Sequence, residues 1–337
     1  EVFDLKNCPV DTIYFGGGTP SLMTPDDIDA LLHEISSAFI LEDRSEITLE
    51  VNPATADNKK LPAFRKVGIN RLSIGVQSFQ AGNLNFLGRL HNADEAQICI
   101  QNAKEAGFEN ISLDFIYGLP GQTVNDLLSD LKKAVHTEPQ HLSLYMLTLE
   151  QDTPLYLRAK KGQFIPMEDK RQEDLFNAAT NYLGTREFIR YETSNYAKKG
   201  YQSRHNLKYW NGDNYLGFGA AAHSYLQEFG WGLRWWNVSD TDKYISCLNG
   251  AKMPIDEIEM LSRRSALMET VFTSLRTVDG LQEDYLLKRF GITLGEAVSL
   301  PAIDNCPDNL LIIEKDRLRL TDKGALLADE LTAHIIN

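Results

Sequence analysis

The sequence has few cysteines, and no two of them are close together. Cys8, Cys99, Cys247 and Cys306 are the four. Neither zinc-knuckle nor CxxC spacing occurs, and a free-thiol cytoplasmic protein is the expectation. No run of eighteen apolar residues exists, so no membrane span is expected. Glu1 to Lys6 lack a basic n-region and an apolar h-region, which argues against a signal peptide. Positive charge is not in surplus: 34 Lys and Arg stand against 47 Asp and Glu, a formal net charge of −13. A general nucleic-acid or anionic-membrane partner needs the opposite field. A local basic pocket for an acidic ligand stays open. Internal repeats and low-complexity stretches are also lacking.

What is present is ordinary globular composition, with 43% hydrophobic and 24% charged residues in 337. That length suggests about two domains, or one barrel with an appendage. A chain of this size buries roughly three quarters of its unfolded surface and needs no staples. It starts without methionine and runs almost at once into a strand, so a fragment is the expectation.

Strand and helix signals alternate from Asp11 to about Tyr196. Strand-like runs lie at Thr12–Phe15, Glu46–Val51, Arg71–Val76, Asn110–Tyr117, His141–Leu147 and Phe188–Tyr191. Between them, Asp26–Ala38 follows Thr24-Pro25, a cap with Pro at the first helical position. Asp94–Ala106 ends at Gly107, and Val124–Val135 and Lys170–Leu183 complete the helices. This order predicts a parallel sheet with right-handed crossovers, in a whole or partial (β/α) barrel. Lys199–Asn237 breaks the pattern. It is rich in aromatics, glycine and asparagine, and reads as a packed loop region whose rings fill the open side of a barrel.

From Leu261 the pattern changes again. Helices are predicted at Leu261–Leu275 and Gln282–Phe290, a hairpin at Leu310–Glu314 with Arg317–Leu320, and a last helix from the Thr321-Asp322 cap through Ile335. These suggest a small helical, winged-helix-like domain with a boundary near Met253–Ile258. It is not basic enough to imply DNA binding. The expected organisation is a barrel over 1–198, an aromatic-rich connecting segment over 199–255, and a C-terminal domain over 256–337.

The sharpest local signal is Gly16-Gly17-Gly18-Thr19-Pro20, directly after an apolar strand. Three glycines let the backbone turn tightly and bring its peptide groups against a ligand. A plain strand-to-helix turn rarely needs all three. Glu50 ends the second strand, Gln77 the third, and Asp114 lies in the fourth. Barrel ligands bind at the C-terminal ends of strands, so these residues converge on one mouth. Singly, Glu50 or Asp114 reads equally as a loop cap or a partner of Arg71. Arg89, in Leu87-Gly88-Arg89-Leu90-His91, is on pattern alone either a surface arginine or a carboxylate or phosphate ligand.

In this order Gly-Gly-Gly-Thr-Pro, Leu-Glu-Val-Asn-Pro, Gly-Val-Gln-Ser-Phe and Asp-Phe-Ile-Tyr-Gly-Leu-Pro-Gly-Gln-Thr follow one another. The chain thereby resembles radical SAM proteins of the oxygen-independent coproporphyrinogen III oxidase group. The resemblance covers nearly the whole chain, including Leu320-Thr321-Asp322-Lys323-Gly324. It implies a partial (β/α) barrel of the radical SAM type with a small helical winged-helix-like C-terminal domain. It also implies that Gly17, Gly18 and Thr19 hold the amino acid end of S-adenosylmethionine, and that Glu50, Gln77, Arg89 and Asp114 complete that site. The spacings from Glu50 to Gln77, Arg89 and Asp114 agree with the family pattern, which favours the ligand reading of Arg89.

One departure is large. The family carries CxxxCxxC upstream of the glycine loop, and its thiolates hold a [4Fe–4S] cluster. Nothing here matches: Cys8 stands alone and no other cysteine precedes Cys99. Either the cluster has been lost, or the chain lacks its first strand and motif, and the abrupt start favours the second. The cluster is expected only in a full-length form, and no residue is assigned a catalytic role.

His205-Asn206-Leu207-Lys208-Tyr209-Trp210, an HNxxYW motif, resembles the signature of the haem-chaperone branch of that group. The residue types suit haem: His205 as axial iron ligand, Tyr209 and Trp210 as flat apolar surface, Arg204 and Lys208 for propionates. On residues alone, a satisfied histidine in a packed aromatic loop is the stronger reading, and the resemblance reverses that. His223 is a second candidate ligand or a packing residue. Gly217–Ala222 fits GxGxxA but follows a turn and no buried strand, so a dinucleotide fingerprint is rejected. Trp231, Trp235 and Trp236 read as packing or an interface.

The expected function is a haem chaperone that binds haem and S-adenosylmethionine and passes haem to haem-accepting proteins. The rival is oxidative decarboxylation of coproporphyrinogen III propionates to vinyl groups by a radical mechanism. A third reading is an adenosylmethionine-binding barrel with an unrelated substrate.

Overall fold

The computed structural model describes residues 8–307 and 309–336. The reading of Glu1 to Lys6 lies outside them. The chain divides into two compact units, Glu1–His205 and Asn206–Asn337.

The first unit is built on a seven-stranded open sheet. Its strands are β1 (Pro9–Phe15), β2 (Ile40–Val51), β3 (Arg71–Gln77), β4 (Ile111–Tyr117), β5 (His141–Met146), β6 (Ile189–Arg190) and β7 (Asn195–Ala197), in the order β1-β2-β3-β4-β5-β7-β6. The first five run parallel, each neighbour reached by a helical crossover. Their apolar runs are covered on the helix side: Leu72, Ile74 and Val76 of β3 are wholly buried, as a sheet with helices on its face requires.

The helices start where their capping chemistry is written. Thr24 and Asp27, Asn92 and Glu95, and Thr123 and Asp126 form reciprocal capping boxes at Pro25–Ala38, Ala93–Glu105 and Val124–His136. Each helix then buries one stripe, such as Ala96, Cys99, Ile100 and Ala103, at the three- and four-residue spacing of one helix face. Three further short helices, Lys60–Lys66, Ala81–Phe86 and Pro154–Lys160, were not among those expected.

The sixth strand corrects the parallel-sheet expectation. Only Ile189–Arg190 is extended, and β7 inserts antiparallel between it and β5. The chain reverses at once after β6, because Glu192 turns back to accept a hydrogen bond from the Ser194 N–H. No helix intervenes, so no crossover to a parallel neighbour is made.

The second unit also departs from expectation. The aromatic segment is not a packed loop. It carries the helix Arg204–Asn211 and two strands, β8 (His223–Leu226) and β9 (Leu233–Asn237). Leu233, Trp235 and Asn237 are buried while Arg234 and Trp236 are only partly covered, the two-residue period of a strand. A third strand, β10 (Ile255–Met260), pairs antiparallel with β9. The boundary expected near Met253–Ile258 overlaps the start of this strand.

The remainder follows the order helix, strand, helices, hairpin. Arg263–Ser274, β11 (Leu281–Gln282), Glu283–Phe290 and two short helices lead to β12 (Leu311–Ile313) and β13 (Arg317–Leu320), with sheet order β11-β13-β12. The expected last helix is two, Asp322–Ala325 and Ala328–Ile335. Leu327, at φ −113° and ψ 23°, breaks it. The first short helix is pressed onto the hairpin where Gly324 meets the Leu310 carbonyl.

That contact makes Gly324→Ala a test of how the second unit packs. The added methyl would collide with the Leu310 carbonyl oxygen, a backbone atom that cannot swing aside. Denaturant unfolding should show a loss of about 2 kcal/mol, the scale of overpacking. An unchanged midpoint would mean that the hairpin and the helix are not held against each other.

Candidate functional site

The parallel strands of the first unit end at one rim, where the backbone leaves the ladder and its polar groups need other partners. After β1 the chain turns through Gly16–Gly18. Gly17 has φ +103°, and the space around both Gly17 and Gly18 is open to at least 4 Å where a Cβ would stand. Only bare backbone therefore faces the rim there. Glu50 sits near the end of β2 and Gln77 at the end of β3. Gln77 has φ 64°, a left-handed backbone costly for a side-chain residue. Gly75 gives its amide room, since a Cβ there would stand 2.8 Å from Gln77 Nε2.

Gly17, Gly18, Thr19, Glu50, Gln77, Arg89 and Asp114 all line one cavity of about 440 Å³. Arg89 reaches it from the turn after Ala81–Phe86, and its Nε is buried with no hydrogen-bond partner. Tyr14 on β1, Ser73 on β3 and Tyr145 on β5 also line it and stand outside every motif of the sequence reading. Tyr14 and Tyr145 belong to strands whose alternation aims every second side chain at this face, but no motif marks them.

The cavity is acidic. Tyr14 donates to Glu50 Oε1 at 2.9 Å. Burial pushes the Glu50 carboxyl above its usual value, and the Tyr14 hydrogen bond opposes this. Asp114 accepts from Ser73 Oγ at 2.8 Å and Ser112 Oγ at 3.0 Å. Burial raises it too, with the serine hydrogen bonds and Arg71 pulling the other way. Two carboxyls short of solvent favour a cation that restores their ionised forms. The unsatisfied Arg89 Nε calls for an acceptor. A zwitterion of amino acid type meets both demands, and the exposed peptide edge at Gly17–Thr19 can take its charged end.

Behind the cavity, His141 Nδ1 lies 2.8 Å from Ser112 Oγ and its Nε2 2.8 Å from the Tyr191 hydroxyl. Burial holds His141 well below the usual imidazole range, so it is neutral. Glu192, also missed from sequence, is buried, and that burial pushes its carboxyl up to about 7.

HNxxYW lies on the helix Arg204–Asn211. The division between units falls within it, after His205. In the first unit Glu46, buried on β2, accepts from the Arg204 N–H at 3.3 Å and the His205 N–H at 3.2 Å. A carboxylate there satisfies orphan donors of the first turn. The His205 Nδ1 is 2.9 Å from Thr12 Oγ1, and its ring stacks on Tyr14 at 5.0 Å. Arg204 is engaged by the Arg44 carbonyl, Asp11 and Glu42. Its guanidinium, itself exposed, thus faces two carboxylates.

In the second unit Asn206 and Trp210 are partly buried. Tyr209 is exposed and sets its ring edge-on to Tyr215 at 4.7 Å. His223 is exposed at the start of β8 and stacks on Trp236 at 5.6 Å. Gly217–Ala222 leads into that strand and not into a helix.

Among the described residues no group of three or more His, Cys, Asp or Glu side chains is arranged to hold a metal ion. Cys8 is exposed, Cys99 is buried with its thiol pushed up to about 12, and Cys247 and Cys306 are partly covered. These cysteines do not fit a three-thiolate cluster. No helix among the described residues is long and apolar enough to cross a membrane.

The radical SAM superfamily model matches residues 1–134. A protein of Lactococcus lactis named heme chaperone HemW is 33% identical over 321 residues, 95% of this chain and 83% of that protein. The Bacillus subtilis protein of the same name is 31% identical over 95% of this chain and 84% of its own length. Among solved structures, the Escherichia coli coproporphyrinogen III oxidase HemN superposes with a TM-score of 0.80 at 20% identity, covering 96% of this chain and 77% of that one. That likeness shows the fold: a partial (β/α) barrel of the radical SAM type with a small helical, winged-helix-like C-terminal domain.

The Glu192 carboxyl carries a pH signature. It is raised from 4.5 in the unfolded chain to about 7 in the folded one. A raised carboxyl contributes stability that is full below pH 4.5 and is lost as pH climbs through about 7. Glu192→Gln removes the ionisation. Relative to the parent it should gain on the order of 3 kcal/mol between pH 4.5 and 8, read from urea unfolding at both ends. A difference that does not change with pH would show that Glu192 titrates alike in the folded and the unfolded chain, with no raised carboxyl.

Proposed function

Because the chain belongs to the radical SAM superfamily and, within it, to the heme chaperone HemW family, we propose that it binds haem and S-adenosylmethionine and delivers haem to haem-accepting proteins. The observation that carries this reading is the likeness to HemW proteins along nearly the whole chain. The work is expected in the cytoplasm.

S-adenosylmethionine has a sulfonium, an ammonium and a carboxylate, and the cavity suits each charge. Gly17, Gly18 and Thr19 would hold its amino acid end through backbone groups. Glu50 and Asp114 would face its cationic parts, and the buried, unpartnered Nε of Arg89 its carboxylate. Gln77 would add an amide from the end of β3. The cysteines present do not fit a cluster, so no step here is routed through one.

Haem would be held through His205. A neutral imidazole supplies the iron with one ring-nitrogen lone pair. Tyr209 and Trp210 would offer flat surface to the macrocycle. Asn206 completes the motif, and Arg204 and Lys208 are its candidate propionate partners. The oxidase reading has only the fold in its favour, since HemN is 20% identical.

A haem titration followed by visible absorption tests the proposal on this chain and on His205→Ala. Saturable binding by the parent, weakened about tenfold or more in the variant, is expected for loss of an axial ligand. Absence of saturable binding by the parent would turn the reading toward the oxidase, to be sought as propionate decarboxylation in protein prepared without oxygen.

A further inference from the structure

HNxxYW supplies the imidazole, and residues far from it in sequence help to orient that ring. Within the first unit, the residues that do so come from β1 and β2, some 160 to 190 positions earlier in the chain. Thr12 Oγ1 stands 2.9 Å from Nδ1 of His205. The Tyr14 ring lies nearly parallel to the imidazole, 22° between planes at 5.0 Å. Tyr14 is itself pinned, its hydroxyl donating to Glu50 Oε1. Its place is reserved by Gly16, where a Cβ would stand 2.6 Å from the tyrosine ring. Glu46 holds the main-chain N–H of His205. Ring plane, ring edge and backbone are thus each set by a different contact.

We propose that Thr12 and Tyr14 are positioning residues for haem ligation. Thr12 Oγ1 accepts the Nδ1 proton, which makes Nε2 the nitrogen that gives its lone pair to iron. Tyr14 sets the plane in which that lone pair points. The chemistry is that of an outer partner: accepting the proton of one ring nitrogen fixes the tautomer and raises the basicity of the other. The inference rests on the reading of His205 as the iron ligand. It assigns no contact to the haem itself for Thr12.

The test is a set of haem titrations on the whole chain, with affinity and visible band positions read together. Thr12→Val keeps the shape and removes the acceptor. It should weaken haem binding about tenfold and shift the bands toward a weaker axial ligand. Thr12→Ser restores the oxygen and should return both. Tyr14→Leu removes the ring face and should weaken binding while circular dichroism stays that of the parent. A merely structural role for Thr12 would lower the unfolding midpoint and leave the bands of the bound form in place, which overturns the proposal. So would Thr12→Val binding like the parent while His205→Ala binds weakly. If His205→Ala itself binds like the parent, the ligand reading fails and the positioning role falls with it.

Discussion

A chain of hydrogen bonds running from the cavity wall into the core is the constraint on which the rest of the first unit depends. Ser73 and Ser112 donate to Asp114, Ser112 also meets His141, His141 meets Tyr191, and the Tyr191 hydroxyl accepts from the Ser203 N–H. These residues lie on β3, on β4, on β5, beside β6, and just ahead of the helix that begins at Arg204. Arg71 lies among them with 1% of its surface exposed, and its charge acts on Asp114, His141 and Tyr191. Buried polar groups are costly when unpaired and stiffening when paired. The network therefore sets the order and register of the strand ends, and the strand ends are the site.

From this floor upward the cavity is made by departures from regularity. Gly17 and Gln77 adopt left-handed backbones, and Gly16 and Gly75 give up a side chain so that Tyr14 and Gln77 can lie where they do. Each departure costs conformational free energy that strand hydrogen bonds elsewhere offset. The gain is a rim on which backbone donors, two carboxyls and one arginine face the same volume.

Tyr14 gives this arrangement a second consequence. Its hydroxyl belongs to the cavity through Glu50, and its ring belongs to the haem motif through His205. The proposed site for S-adenosylmethionine and the proposed ligand for haem thus share one side chain within one rigid strand. In the second unit, His223 and Trp236 are stacked on a sheet of their own, away from any residue of that motif in sequence.

Much of this was legible from residue order. The capping boxes at Thr24, Asn92 and Thr123 announce their helices, because a cap is a contact over three residues. The glycine loop, Glu50 and Gln77 could be placed at strand ends, and Asp114 within the fourth strand, because parallel strands carry ligands at one mouth. Local and periodic signals ended where contacts became long-range. The three-residue β7 is too short to show a period, and aromatic composition masked the alternation of β9. Sequence by itself determined which residue types were available: a bare backbone loop, three polar residues on successive strands, one histidine beside two rings. Only the tertiary structure decided that Tyr14, Thr12 and Glu46 contact His205, and that Arg204 meets Asp11 and Glu42. Those contacts join residues about 160 to 190 apart. At such separations a partner is chosen by strand register and burial, which no local propensity encodes.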